Sequence, residues 1–413
     1  MQFEPIVKSL LDTDLYKFSM GQCYHHQFGN MKATWDFRAR NVGIEKDHEP
    51  YTKEDILEIT AQIKAYCNLR FTEEELNYLR TKCPWIHNDY INFLRFWHPV
   101  FEDFTISNDA ESGLSISFGG VQEYVSYYEI PVLEICAEVY YRNHYNYNEL
   151  LKGFKEENEN KIHEVIYGDF DTGVWSEFGA RRRLSFEAQD WLISRFAECK
   201  KTQSRFAGFV GTSNVLLAMK YGLTPVGTCA HEFIESVGQG NLMYNPAYSN
   251  KIAMDAWIKE YGILNGIWLT DTIGDELCRR DMTLTYATLF GGVRNDSGDP
   301  FKWAENWVNH YKSLGIDPHT KTLLFSNSID SFKLWGDLCK YTKELGAKPA
   351  FGIGTWWSGP QTIKPLNIVA KVVLVNGMDV AKLSDDAGKT MSRSQQFVDF
   401  LRRTLNWRIQ SGK

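Results

Sequence analysis

An excess of positive charge is missing from this chain of 413 residues: 45 Lys and Arg stand against 52 Asp and Glu, a formal net charge of −7. A surface that neutralises a phosphate backbone needs the opposite balance, so a general nucleic-acid binder is excluded. A local pocket for a phosphorylated metabolite stays compatible with that sum. Long hydrophobic runs are missing too. The most apolar late segment, IVAKVVLV (368–375), carries Lys371 and falls far short of the roughly 20 residues that span a bilayer. The opening MQFEPIVKSLLDTDLYKF holds Glu4, Asp12 and Asp14 and no long apolar stretch, so no signal peptide is expected. Cysteines at 23, 67, 83, 136, 199, 229, 278 and 339 never reach CxxC spacing. Neither a zinc ribbon nor a disulfide framework is signalled, and a reducing cytoplasmic setting is expected. Walker A, GxSxG, GxGxxG and HExxH are absent as well.

What is present is core material: 43% hydrophobic and 14% aromatic residues, enough for two domains. Residues 1–130 read as an α/β domain. DILEITAQIKAY has helical spacing, and Thr72-Glu-Glu-Glu75 has the form of a capping box. FEDFTIS, LSISF and QEYVSYY alternate between glycines and are predicted as strands of a meander. IPVLEICAEVYYRNHY then predicts a long buried helix.

Residues 131–392 show another rhythm, in which short apolar runs end in polar or glycine-rich tips and helical stretches follow. The tips are GTSN (211–214), GTCAHE (227–232), LTDT (269–272), GGVRNDSGD (291–299), FSNSID (325–330), FGIGT (351–355) and AKLSDD (381–386). Seven such units predict an irregular βα barrel with its chemistry at the strand C-termini. The amphipathic tail at 393–413 is expected to pack back on the first domain.

Several tips carry reactive or charged groups. Gly352 and Gly354 permit close backbone approach and positive φ, and Thr355 adds a hydroxyl, so FGIGT suits an anion. Arg294 can pair bidentately with a planar carboxylate or a phosphate, and Asp296 and Asp299 can meet ribose hydroxyls or Mg2+ through water. Asp299 before Pro300 also reads as a helix N-cap. His231 is the histidine on a strand tip; adjacent Glu232 is expected to orient it, and Asp271 of LTDT points into the same bowl. Of the three arginines at 181–183, one or two can face a site. The residues alone indicate an enzyme acting on a phosphorylated sugar or nucleotide.

TDLYKFSM (13–20), EFGARRR (177–183), GTSN, GTCAHEF, LTDT, GVRNDSGD, FGIGT and KLSDD, in this order, resemble the nicotinate phosphoribosyltransferase family over nearly the whole chain. The resemblance implies the type II phosphoribosyltransferase architecture, an N-terminal α/β domain plus an irregular α/β barrel. It also implies transfer of ribose 5-phosphate from phosphoribosyl pyrophosphate to nicotinate, coupled to ATP hydrolysis through phosphorylated His231, with Mg2+. By resemblance Tyr16, Thr228 and Arg294 meet nicotinate. Arg181, Ser326, Gly352, Gly354 and Thr355 meet the phosphates, and Asp296 or Asp271 meets metal through water. A homodimer with shared sites follows, Tyr16 reaching the neighbouring subunit, and the bowl is expected to be locally cationic. The alternatives are nicotinamide or quinolinate as acceptor, a Schiff-base lyase using Lys371 or Lys382, and a catalytically silent paralogue.

Overall fold

Two sheets organise the chain in a computed structural model that describes residues 3–240, 245–264, 266–386 and 390–411. The first is antiparallel and draws on both ends of the chain. Its strands are β1 (Lys32–Ala39), β2 (Phe104–Ser107), β3 (Ser115–Val121) and, from far downstream, β11 (Ile368–Val375) and β12 (Met378–Asp379). They lie in the order β12-β11-β1-β3-β2. The second sheet is parallel, with strands β4 (Val174–Glu177), β5 (Phe209–Thr212), β6 (Thr224–Pro225), β7 (Ile267–Leu269), β8 (Gly292–Asn295), β9 (Thr322–Phe325) and β10 (Lys348–Ile353). Its order, β6-β5-β4-β10-β9-β8-β7, curls into the irregular barrel. Five successive residues of β10 are buried, as a strand covered on both faces requires.

Helix α1 (Leu15–Phe28) is buried from Leu15 to Tyr24 and leads from the barrel mouth along the first domain. Helices α2 (Lys53–Cys67) and α3 (Glu73–Lys82) each open on a complete capping box, Thr52 with Asp55 and Thr72 with Glu75. Helix α4 (Asn88–Phe96) completes the outer layer. The predicted long helix is α6 (Glu129–His144), buried through Tyr141 and packed on α2 and β11.

Three expectations are corrected. QEYVSYY is not a strand: α5 (Gln122–Val125) is followed by a 3-10 turn, Ser126–Tyr128. Seven residues are too few to separate a period of 2 from one of 3.6, and Gln122 is held by Trp35 Nε1 and Ser236 in the core. AKLSDD does not end a barrel strand, because the apolar run before it pairs with β1. The seventh parallel strand is β4, before EFGARRR, so residues 368–379 leave the predicted barrel domain for the first sheet.

The tail helix Gln395–Ser411 packs Val398, Leu401 and Leu405 against Ala247, Ile273, Leu277 and Leu383 at the barrel rim, rather than on the first domain. Its Arg408 meets Asp281 at 2.6 Å, while Arg393, before the helix begins, meets Asp36 of β1 at 2.6 Å. Positions 412–413 of the predicted tail lie outside the described residues. Among the described residues no helix is long and apolar enough to cross a membrane.

Candidate active site

The first-domain signature docks onto the barrel tips. Leu15 N donates to Ser213 O at 2.9 Å, and Ser213 Oγ to Asp14 at 2.6 Å. Asn214 Nδ2 and buried Arg183 both donate to Asp12, each at 2.7 Å. Gly227 is needed here, because a Cβ would stand 2.9 Å from the Tyr16 nitrogen. Tyr16 is therefore seated on its own chain's GTC tip and is buried there.

His231 opens a short helix, His231–Phe233, that widens into a π-helical turn at Ile234–Gln239. The Gln239 amide bonds Ala381 twice, Nε2 to the carbonyl at 2.8 Å and Oε1 from the N–H at 2.7 Å. This clamp brings Lys382 beside His231. The imidazole Nε2 lies 2.8 Å from Asp271 Oδ1 and 3.6 Å from Asp296 Oδ2. Burial, reinforced by Lys382 and opposed by Asp271, lowers the His231 pKa to about 4. The ring is neutral at pH 7; with Nε2–H donating to Asp271, the lone pair lies on Nδ1.

The orienting carboxylate is thus Asp271, not the expected Glu232. Helical neighbours point about 100° apart, and Glu232 turns to Lys17. Burial lifts the Glu232 pKa to about 8, against the pull of Lys17. Lys17 also meets Glu129 at 2.6 Å and lies 4.9 Å from the Trp35 ring centre.

Lys382 Nζ stands between the two barrel carboxylates, 3.1 Å from Asp271 and 3.3 Å from Asp296. Burial disfavours its ammonium, but these carboxylates outweigh burial and raise its pKa. Ser297 Oγ donates to Asp271 at 2.6 Å. Arg294 donates through Nε to Ser326 at 2.8 Å, through Nη1 to Thr228 at 3.0 Å and through Nη2 to Asp296 at 3.2 Å. One chain of hydrogen bonds and ion pairs thus links His231, Asp271, Lys382, Asp296, Arg294, Thr228 and Ser326, which stand on four tips and the AKLSDD segment. The bowl interleaves charges: Asp271, Asp296, Glu129 and Glu235 face Lys17, Arg181, Arg294, Lys371 and Lys382, so carboxylates stand among the cations expected there.

The three arginines separate. Arg181 stays partly open, 3.8 Å from Glu129; Arg182 bonds the Ile368 carbonyl at 3.0 Å; and Arg183 is fully buried between Asp12 and Glu134. In FGIGT neither glycine has positive φ, contrary to expectation. A Cβ on Gly352 would strike the Phe178 ring at 2.4 Å, and one on Gly354 the Phe178 carbonyl at 2.8 Å. Gly352 is buried behind that ring, leaving Gly354 and Thr355 half-buried at the tip. Asp299 accepts from Phe301 N at 2.9 Å and Lys302 N at 3.3 Å and acts as the N-cap.

Sequence reasoning missed the ionic role of Lys382, the support from Ser297, and Phe178. The ring of Phe178 was foreshadowed only by the two glycines, Gly352 and Gly354, of the motif that faces it.

His231, Asp271 and Asp296 offer ligand atoms within 4.8 Å of one another. They are a poor direct cage for Mg2+, which demands an oxygen octahedron. Asp271 is committed to His231, Ser297 and Lys382, and Asp296 to Arg294 and Lys382. A lysine ammonium already sits between them. Any metal contact of Asp271 or Asp296 would be the expected one through water.

A curled parallel sheet closed by an antiparallel one, with a polar bowl at the strand C-termini, defines an α/β-barrel architecture built around a small-molecule site. Residues 174–408 match the Nicotinate phosphoribosyltransferase (NAPRTase) family and residues 11–137 its N-terminal domain. The chain is 37% identical over 417 residues to the nicotinate phosphoribosyltransferase of Acinetobacter baylyi, spanning 98% of each. To that of Neisseria meningitidis it is 36% identical over 407 residues, spanning 97% of this chain and 98% of the other. The crystal structure of nicotinate phosphoribosyltransferase from Porphyromonas gingivalis superposes with a TM-score of 0.85 at 30% identity, covering 97% of this chain and 100% of that one. The Vibrio cholerae structure gives 0.86 at 29%, covering 97% and 94%. The chain belongs to the nicotinate phosphoribosyltransferase family.

Proposed function

We propose that the chain transfers ribose 5-phosphate from phosphoribosyl pyrophosphate to the ring nitrogen of nicotinate, forming nicotinate mononucleotide and pyrophosphate. Arg294 carries the choice of acceptor. A guanidinium has five N–H groups; Ser326, Thr228 and Asp296 take three and the Cys229 carbonyl, at 3.5 Å, a fourth, so its positive charge and one remaining Nη2 hydrogen are offered to a carboxylate. Nicotinamide is neutral and presents a carbonyl oxygen and an NH2 there, so it gains less from the guanidinium charge. Tyr16 and Thr228 border the ring on the GTC side. Gly354 and Thr355 lie at the tip that would take the 5-phosphate, and Arg181 reaches the pyrophosphate.

The pyridine nitrogen attacks C1 with its own lone pair, so no general base is needed. The C1–O bond to pyrophosphate breaks with its electrons on the leaving group, and the rate comes from alignment and from cations facing the departing charge. Mg2+ belongs to the phosphate-bearing substrates in this scheme.

ATP coupling rests on His231. Its neutral Nδ1 attacks the γ-phosphorus, the P–O bond to ADP breaks, and Asp271 holds the Nε2 proton of the resulting phosphoimidazole. The new phosphoryl charge draws Lys382 and Arg294 from their carboxylate partners and resets the tips for substrate. The homodimer and cytoplasmic setting are part of the same reading. Family membership supports the first and eight free cysteines the second.

The test measures nicotinate mononucleotide formation from nicotinate and phosphoribosyl pyrophosphate, with and without ATP, against nicotinamide and quinolinate as competitors. Equal use of nicotinamide would overturn the role given to Arg294.

A further inference from the structure

A second group of metal-ligating side chains lies away from the bowl, where the helix Ser249–Tyr261 meets the first domain. His26 on α1, His87 at the N-cap of α4 and Glu260 on that helix bring ligand atoms within 4.8 Å of one another. We propose that these three residues bind a divalent transition-metal cation of the zinc type.

The first observation is that a carboxylate faces each ring nitrogen of His26. Its Nδ1 lies 2.6 Å from Glu260 Oε1 and its Nε2 3.1 Å from Asp89 Oδ2. Two anionic oxygens so close to one ring draw positive charge, and a cation beside Nδ1 supplies it. With Nε2–H donating to Asp89 and Nδ1 turned to the ion, His26 has the carboxylate-backed arrangement that metal-bound imidazoles use.

The second observation is that the site is built from beneath. Gln22 is fully buried; its Nε2 donates to Glu260 Oε1 at 2.9 Å and its Oε1 accepts from the His87 N–H at 2.7 Å. Gln27 Nε2 donates to Glu260 Oε2 at 3.3 Å. One buried amide thus holds two of the three ligand-bearing segments, while exposed His87 and Asp89 leave an entry path from solvent. Zinc accepts such mixed nitrogen and oxygen ligands at about 2.0–2.2 Å, and Glu260 needs to retreat from His26 by under about 1 Å to admit the ion at that distance. Bound metal would fasten the far end of α1, whose first residues, Tyr16 and Lys17, enter the bowl.

The test uses the full chain stripped with EDTA and titrated with zinc chloride by equilibrium dialysis and metal analysis. One equivalent is expected to bind, raising the Tm. His26→Gln and His87→Ala are expected to weaken binding at least tenfold and to abolish the Tm shift, whereas Asp296→Asn, in the bowl, retains both. His87 is exposed, so His87→Ala is expected to fold and to keep its activity without added zinc. Binding unchanged in both histidine variants, or no binding by the parent chain at micromolar zinc, overturns the proposal and leaves the three residues an ordinary hydrogen-bonded cluster.

Discussion

The Lys382 ammonium lies 3.1 Å from the Asp271 carboxylate, and the two residues reach this contact from different sheets. Asp271 follows β7 of the barrel, and Lys382 follows β12 of the antiparallel sheet. The pair fastens one domain's exit to the other's catalytic face. Lys382→Met leaves Asp271 and Asp296 short of a shared cation, and removing one partner of a buried ion pair costs roughly 3–5 kcal/mol. Urea unfolding at pH 7 checks this, and Lys382→Met with Asp271→Asn is expected to recover part of the loss.

The same contact bears on Schiff-base chemistry. An amine held protonated between two carboxylates has no lone pair for a carbonyl. Borohydride treatment with carbonyl substrates is expected to leave no adduct at Lys382, and mass spectrometry of the digested protein would detect one.

The depressed pKa of His231 sets a pH signature. Between its folded value of about 4 and the ordinary histidine value near 6.5, the unfolded chain binds the extra proton. This contribution to stability is therefore full above 6.5 and is lost as pH falls towards 4, about 3 kcal/mol in all. His231→Asn should flatten the acid side of the stability profile in that window. Phosphorylation of the parent chain by γ-labelled ATP should hold its rate from pH 7 to 5, and His231→Ala should show no acid-labile label.

Arg294→Lys replaces a planar fork by a point charge. Losing a charge-assisted hydrogen bond costs about 1.5–3 kcal/mol, so the KM for nicotinate should rise by about 10-fold to 150-fold while the KM for phosphoribosyl pyrophosphate moves less. Steady-state kinetics with each substrate varied in turn decide it.

Asp296 and Asp299 should separate cleanly. Asp299→Ala removes a cap and costs about 1 kcal/mol of stability with kcat retained. Asp296→Asn leaves Lys382 and Arg294 less constrained and is expected to lower activity at least tenfold.

Features that depend on neighbours in the chain were legible. The Asp299-Pro300 cap, the Thr72 capping box and the polar ends of buried strands are written within a few residues. Features that depend on which strand joins which were not. IVAKVVLV is apolar enough for either sheet, and its pairing with β1 decides where Lys382 goes. Glu232 adjoins His231 in sequence, yet Asp271, 40 positions away, is its partner, because a helical turn sends adjacent side chains apart. The glycines of FGIGT were visible, but their reason was Phe178, just past the end of β4.

The Lys32 N–H donates to Asn376, 344 positions along the chain, where β1 meets β11. At about 5–20 residues per second, a ribosome needs roughly 20–70 s to span that interval. Throughout it β1 presents a bare strand edge to the crowded cell, the kind of edge that recruits other chains. The bowl receives Lys382 only after β11 arrives. Newly made protein is thus expected to gain activity after release and to depend on chaperones until then.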